Sequence, residues 1–204
     1  MNAVVQAVSG YLLPCILITM LPGPDTMVVL QAVTGGGRRD GVRAAVGVSI
    51  GLVAWSLVVG AGLAIVLSAS APALLAFKLV CCAYLVYLSW RALVASRKLT
   101  EIDVVDKSIA RPLLKALGTC ALNPKLGAFF VAVLPQFIPA NAPPGATAMV
   151  LVLVQSLVAF AWYCAVSVVA SRMAALLQRP EILVWLNRIS AAIFLIFAAR
   201  LFTE

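Results

Sequence analysis

The stretch LPGPDT, from Leu21 to Thr26, interrupts one of the most apolar regions of the chain. It lies inside a segment, 3–34, whose 32 residues would reach about 48 Å as one helix, well beyond a hydrocarbon core of about 30 Å. Proline removes a backbone donor and clashes with the preceding helical turn. The sequence therefore predicts a membrane-spanning helix that breaks at Pro22-Gly23-Pro24, with the carboxylate of Asp25 directly after the break.

The composition places the whole chain in a membrane. Of its 204 residues, 64% are hydrophobic and 11% are charged, whereas soluble domains have about half apolar and about a quarter charged residues. We therefore expect an all-α integral membrane protein in which residues 1–204 form a single transmembrane domain. The N-terminus lacks the basic region of a signal peptide, so the first helix is expected to be retained.

Six apolar segments predict six crossings, at about 3–34, 42–67, 73–95, 112–138, 147–171 and 182–203. Lysine and arginine concentrate in the first, third and fifth connectors, the first being the loop GGGRRDGVR at 35–43. Because basic loops stay on the cytoplasmic side, these connectors are predicted to be cytoplasmic and both termini to lie outside. The net charge of +8 then reflects membrane orientation, and no binding of nucleic acid is expected.

A second interruption, ALNPK at 121–125, falls in the fourth segment and resembles the first. Aligning the two breaks matches Pro24 with Pro124 and Asp25 with Lys125. A unit of three crossings that occurs twice must be inverted, because three is odd. We therefore predict two inverted three-helix repeats of about 1–95 and 112–204, joined by a loop at 96–111, with helices 1 and 4 broken. Broken helices at corresponding positions of two halves mark the binding site of many secondary transporters.

Asp25 and Lys125 carry opposite charges at matching positions of the two breaks. Ionisable residues deep in a membrane span are rare and are usually functional or paired. Three interpretations stay open: a structural salt bridge, two side chains that each reach water at an interface, and a pair that flanks a small zwitterionic solute. In the third, Lys125 faces the carboxylate of the solute and Asp25 faces its ammonium group. Asp25 is also the candidate carrier of an exchanged proton.

The two breaks and their surroundings resemble one protein family. LPGPDT, LNPKLGAFFVAVLPQF at 122–137, and the run of Gly47, Gly51 and Trp55 together resemble the LysE/RhtB family of bacterial amino-acid exporters. The resemblance spans nearly the whole chain. It implies an inner-membrane protein of about six helices that exports amino acids or related small zwitterionic metabolites in exchange for protons, with no enzymatic chemistry and no cofactor. The predicted substrate site comprises Pro22, Gly23, Pro24, Asp25, Thr26, Asn123, Pro124 and Lys125.

The five cysteines support an alternative from a different class. None forms a CxxC pair, histidine is absent, and no metal site is predicted. Yet Cys15 lies in the first segment and Cys120 in the fourth, and membrane thiol–disulfide reductases resembling CcdA and the core of DsbD pair cysteines of those two spans. In that alternative a thiolate pair would relay electrons across the bilayer. Against it, the two cysteines do not occupy matching positions of the predicted repeat.

Two further features concern packing. Gly47 and Gly51 form a GxxxG pattern in the second segment, for which close packing inside the molecule is favoured over a dimer face. Gln31 and Gln155 are polar residues inside apolar runs, and bonds to neighbouring helices are favoured over contact with a solute. The sequence leaves a homo-oligomer open. The predicted partners are thus a small-molecule substrate, protons and the lipid bilayer.

Overall fold

The computed structural model describes residues 3–21, 23–67, 71–98 and 111–177, together with ten residues between 184 and 199. All secondary structure in these parts is helical, as the all-α prediction requires. Among the described residues, three helices are long and apolar enough to cross a membrane: Ala3–Met20, Pro24–Gly62 and Pro144–Val169. The elements are α1 (Ala3–Met20), α2 (Pro24–Leu67), α3 (Ala71–Lys98), α4 (Pro112–Ala121), α5 (Pro124–Val133), a 3-10 helix (Leu134–Phe137) and α6 (Pro144–Leu177).

Both long segments break where the sequence predicts. α1 ends at Met20 and α2 begins at Pro24, while α4 ends at Ala121 and α5 begins at Pro124. Proline is well suited to the first position of a helix, because the backbone donor that it lacks would have no helical partner there. Pro24 and Pro124 therefore each start the half-helix that follows a break.

The first connector differs from the sequence prediction. A loop is expected at 35–43, but α2 continues through this region and leaves helical geometry at Gly37, whose φ is 70° and ψ is −167°. Glycine adopts this φ without steric cost. The position of Gly41 shows that the chain reverses at this point. A Cβ on Gly41 would overlap the Val33 side chain, whereas a continuous helix would separate the two residues by about 12 Å. A single glycine thus replaces the expected loop, and α2 consists of two arms, 24–36 and 38–67.

The second arm of α2 packs against α6 in antiparallel orientation. Gly60 of the arm lies against Met149 of α6. Ser49, earlier in the arm, meets Ser156, later in α6. Ser156 Oγ donates to the carbonyl oxygen of Ser49 at 3.0 Å, and Ser49 Oγ donates to the carbonyl oxygen of Ser156 at 3.5 Å. A reciprocal pair of this kind is what a local two-fold relation between two helices produces.

α1 and the first arm of α2 follow α6 in one direction. The carbonyl oxygen of Cys15 accepts a hydrogen bond from Gln155 Nε2 at 3.4 Å, and the hydroxyl groups of Thr26 and Tyr163 lie 3.5 Å apart. Residue numbers therefore rise together along the first segment and along α6. The chain from 3 to 36 passes the bundle once as a broken helix, rather than twice as two crossings.

The GxxxG glycines pack against α4. A Cβ on Gly47 would overlap the carbonyl oxygen of Leu113, and a Cβ on Gly51 would come within 2.8 Å of Cys120 Cβ. Small residues at this spacing allow two helices to approach closely. The prediction of close packing inside the molecule is thus confirmed.

α3 pairs with the described part of the sixth predicted segment. Ser89 Oγ donates to the carbonyl oxygen of Ala191 at 3.0 Å, and Cys82 Sγ donates to that of Ala198 at 3.6 Å. The numbers run in opposite directions, so this pair of helices is antiparallel. Most of 178–204, and residues 99–110 of the loop expected at 96–111, lie outside the described residues. The arrangement of six crossings as two inverted repeats stays a prediction.

We expect Gly47→Ala to destabilise the protein, because the added methyl group meets a backbone carbonyl group that no rotamer change can move. Overpacking of this kind costs about 1–3 kcal/mol. Gly118→Ala is the matched control, since a Cβ there meets nothing within 4 Å. Thermal unfolding in detergent should give a lower midpoint for Gly47→Ala and an unchanged or higher midpoint for the control. Equal midpoints would contradict the close packing of α2 on α4.

Candidate functional site

Asn123 joins the two breaks. Its Nδ2 donates to Asp25 Oδ2 at 2.8 Å. Its Oδ1 accepts a hydrogen bond from the backbone N–H of Lys125 at 3.1 Å and so caps the N-terminus of α5. The side chain is buried. One amide group therefore fixes the carboxylate of the first break and starts the half-helix of the second, and the two predicted site stretches meet in space.

Asp25 lies in the first turn of α2 and is 6% exposed. A negative charge is favoured at this end of a helix, where free N–H groups carry partial positive charge. Oδ2 is bonded to Asn123, whereas Oδ1 is buried and has no hydrogen-bond partner within the described part of the chain. Few buried polar atoms of folded proteins lack a partner. Oδ1 is thus a buried acceptor whose hydrogen-bonding capacity the described residues leave unused.

Lys125 reaches across to the end of α1. Its Nζ donates to the carbonyl oxygen of Leu21 at 3.1 Å, at a helix end where carbonyl groups lack helical partners. Nζ also interacts electrostatically with Asp25. Gly23 leaves room for the ammonium group, since a Cβ there would stand 3.3 Å from Nζ. The two charges are therefore coupled, and the burial of Asp25 argues against the interpretation in which each side chain reaches water.

A cavity of about 20 Å³ lies beside these charges. This volume accommodates about one water molecule and is several times too small for an amino acid. Asp25 and Lys125 are the charged residues of its lining, and Thr19, Gln155 and Tyr163 supply further polar groups. The rest of the lining is apolar apart from Gly23. The lining thus combines two charged side chains with three neutral polar ones.

A buried hydrogen-bond network includes two of the neutral polar residues that line the cavity, Thr19 and Gln155. Gln155 Oε1 accepts a hydrogen bond from Tyr11 OH at 2.9 Å, and Gln155 Nε2 donates to Thr19 Oγ1 at 2.6 Å. The ring of Tyr11 packs against Phe129 and Phe137, with centroid distances of 6.2 and 5.7 Å. The prediction that Gln155 bonds a neighbouring helix is confirmed, and the same side chain also lines the cavity.

The structure brings together most of the predicted site residues. Gly23, Asp25 and Lys125 line the cavity, and Asn123 orients the carboxylate. The other three described residues of the set lie at the two breaks. Thr26 contacts Tyr163 of α6, and Pro24 and Pro124 are the first residues of the two half-helices. Pro22 lies outside the described residues.

Sequence reasoning did not assign Thr19, Gln155 or Tyr163 to the site. No motif marks them, because their partners lie more than 130 residues away along the chain. One signal was available in α1, where the buried positions Ala7, Tyr11, Cys15 and Thr19 recur every four residues. That spacing places two polar side chains on the inner face of an apolar helix.

The cysteines of the alternative interpretation have different surroundings. Cys15 and Cys120 are both free and fully buried. Gln155 bonds the backbone carbonyl group of Cys15, whereas Cys120 packs against Gly51. Buried cysteines usually behave as small hydrophobic residues. In the parts of the chain that the structure describes, no three histidine, cysteine or acidic residues group together as metal ligands.

Comparisons with known proteins extend over nearly the whole chain. The family model described as LysE type translocator matches residues 16–204. A leucine efflux protein of Klebsiella pneumoniae is 29% identical over 95% of this chain and 93% of its own. A homoserine/homoserine lactone efflux protein of Salmonella typhimurium is 28% identical over 94% of each chain. An uncharacterized membrane protein of Pseudomonas aeruginosa is 30% identical over 84% of this chain and 82% of its own.

No solved structure gives a significant match to the chain. The family match includes both breaks and the residues that join them. The three relatives align with this chain over more than four-fifths of their own lengths, so the similarity is not confined to a fragment. The chain therefore belongs to the LysE type translocator family of membrane transporters.

Proposed function

We propose that this protein is a secondary transporter that exports amino acids or related small zwitterionic metabolites across the bacterial inner membrane. The names of the relatives, a leucine efflux protein and a homoserine/homoserine lactone efflux protein, support this class of solute. One observation carries the site: Asp25 and Lys125 line the same cavity, and Asp25 Oδ1 is buried with no hydrogen-bond partner among the described residues. A carboxylate and an ammonium group side by side match the two charged ends of an amino acid.

In the loaded carrier, Asp25 Oδ1 accepts a hydrogen bond from the ammonium group of the solute, and Lys125 Nζ donates to its carboxylate. Bonds of this charge-assisted kind are about twice as strong as bonds between neutral groups. In the empty carrier the two side chains interact with each other, and Nζ bonds the carbonyl oxygen of Leu21. The salt-bridge and solute interpretations then describe two states of one site.

Binding requires the cavity to enlarge. A volume of about 20 Å³ holds about one water molecule, so the helices around it must separate before an amino acid enters. Broken helices suit this movement, because each break already lacks continuous helical bonding at the point where two rigid halves join. Alternating access would then move one group of helices relative to the other around the charged pair.

The proposal includes exchange for protons and an orientation in the membrane. Asp25 is the proposed carrier, because a proton and the ammonium group of the solute compete for the same carboxylate. Mutually exclusive binding of two ligands is the requirement of antiport.

In the proposed orientation, both termini lie outside and the basic connectors lie in the cytoplasm, in agreement with the positive-inside bias. This orientation depends on the number of crossings. The single passage of residues 3–36 along α6 supports that number.

Asp25→Asn should abolish efflux, because an amide offers no charge to the ammonium group and cannot carry the exchanged proton. Removing one partner of a buried charged contact costs about 2–5 kcal/mol, so efflux should fall at least about tenfold. The measurement is export from cells loaded by dipeptide feeding, across a panel of amino acids. Asp40→Asn is the control, since Asp40 pairs with Arg43 away from the cavity. Normal export by Asp25→Asn at equal protein levels would refute the site.

Lys125→Met keeps the length of the side chain but removes its charge, and it should raise the solute concentration for half-maximal efflux at least about tenfold. The reason is the loss of the group that faces the solute carboxylate. Lys115→Met is the matched control, because Lys115 is exposed and bonds Gln31 at 3.3 Å. Concentration series in membrane vesicles would give both constants. The assignment fails if the two variants behave alike.

Proton coupling predicts that an uncoupler stops export against a concentration gradient while leaving exchange of labelled for unlabelled solute intact. Exchange needs only the solute-bound form of the site, whereas net export needs the return of the protonated form. Vesicles with an imposed pH gradient, with and without the uncoupler, would measure both rates. Net export that is insensitive to the pH gradient would exclude protons as the coupling ion and would leave the solute site untouched.

A further inference from the structure

Trp55 spans the second break. It lies in the second arm of α2, and its indole Nε1 donates to the carbonyl oxygen of Cys120, in the last turn of α4, at 3.1 Å. The same carbonyl oxygen also accepts a hydrogen bond from the backbone N–H of Asn123 at 3.1 Å. The indole thus bonds the end of α4 at an acceptor that it shares with the backbone of Asn123.

The same ring also packs against the helix that follows the break. A Cβ on Gly127 would come within 2.9 Å of Trp55 Cη2, and the ring centroids of Trp55 and Phe130 are 6.0 Å apart. Gly127 lies in the first turn of α5, where the absence of a side chain allows the indole to approach the backbone. One side chain from α2 therefore contacts both half-helices.

The first turn of α5 leads directly to the site. The backbone N–H groups of Leu126 and Gly127 bond the carbonyl oxygen of Asn123 at 3.2 and 3.4 Å, so the position of Gly127 is tied to that of Asn123. The Asn123 side chain in turn donates to Oδ2 of Asp25, a residue that lines the cavity, and Oδ1 has no hydrogen-bond partner among the described residues. A displacement of this turn would move the amide group that orients the carboxylate.

We propose that Trp55 is a positioning residue for the solute site: it clamps the α4–α5 break so that Asn123 holds Asp25 in its binding orientation. Trp55 does not line the cavity and acts through Asn123. Tryptophan suits this role because one end of its ring system donates a hydrogen bond while its apolar face packs against a backbone. The inference rests on the proposed function, since it concerns the affinity of the solute site.

The test uses Trp55→Phe, which removes the indole N–H, and Gly127→Ala, which pushes a methyl group against the indole. Each should raise the solute concentration for half-maximal efflux by about ten- to hundredfold, as small misplacements of a binding group do, with little change in the amount of protein in the membrane. The double variant should be no worse than Trp55→Phe alone, because the smaller ring leaves space for the methyl group. Gly118→Ala, in the open part of α4, is the control.

Two results would overturn the inference. The first concerns the two single variants: both have the wild-type solute concentration for half-maximal efflux, or they lose efflux only in proportion to a lower amount of protein in the membrane. A purely structural role would give the latter. The other is a double variant whose two effects multiply, because independent effects mean that the residues do not act through one contact. Absence of efflux in the wild type would instead refute the proposed function, so the two failures are distinguishable.

Discussion

The structure depends on one constraint: a helix that breaks inside a bilayer must find partners for its backbone polar groups. At the first break the ammonium group of Lys125 bonds the carbonyl oxygen of Leu21. At the second, the carbonyl oxygen of Cys120 accepts hydrogen bonds from the indole of Trp55 and from the backbone N–H of Asn123. Lys125 belongs to α5 and Trp55 to α2, so each break receives a hydrogen bond from a helix other than the one that ends there. The groups that make the breaks tolerable are therefore the same groups that hold the helices together.

This arrangement explains why charged residues lie at the centre of an apolar protein. Asp25 uses one oxygen to bind Asn123, and its other oxygen is buried with no hydrogen-bond partner among the described residues. Lys125 satisfies a helix end and also interacts with the carboxylate. A purely structural ion pair would use both carboxylate oxygens, since an unsatisfied buried acceptor is destabilising. The unpaired oxygen is the feature that favours the proposed solute site over a purely stabilising contact.

The breaks were predictable from sequence because proline in an apolar run acts through local chemistry. The turn at Gly37 was not, since GGGRRDGVR has the composition of a loop and one residue with positive φ suffices to reverse the chain. The partners of Trp55 and Gln155 depend on segments brought together by packing, which no local pattern reports, whereas the two break motifs already indicated Asn123 and Lys125 as neighbours of Asp25. One similarity between distant segments is visible in the sequence. Ser49 and Ser156, which meet across the bundle, are 107 residues apart, and Trp55 and Trp162 have the same separation.

The contacts around the cavity differ in strength, and this bears on how it can enlarge. α1 is tied to α6 by the short, buried hydrogen bonds of Gln155 with Tyr11 and Thr19. Between the first arm of α2 and α6, the hydroxyl groups of Thr26 and Tyr163 approach to 3.5 Å. Connected buried hydrogen bonds strengthen one another, whereas a single long one contributes little. Hydrogen bonding among the described residues thus ties α1 to α6 more strongly than it ties the first arm of α2. Because that arm carries Asp25, a movement of the arm away from α6 would also shift the carboxylate relative to Lys125, and in the proposed mechanism such a shift would couple access to the charges that are proposed to bind the solute.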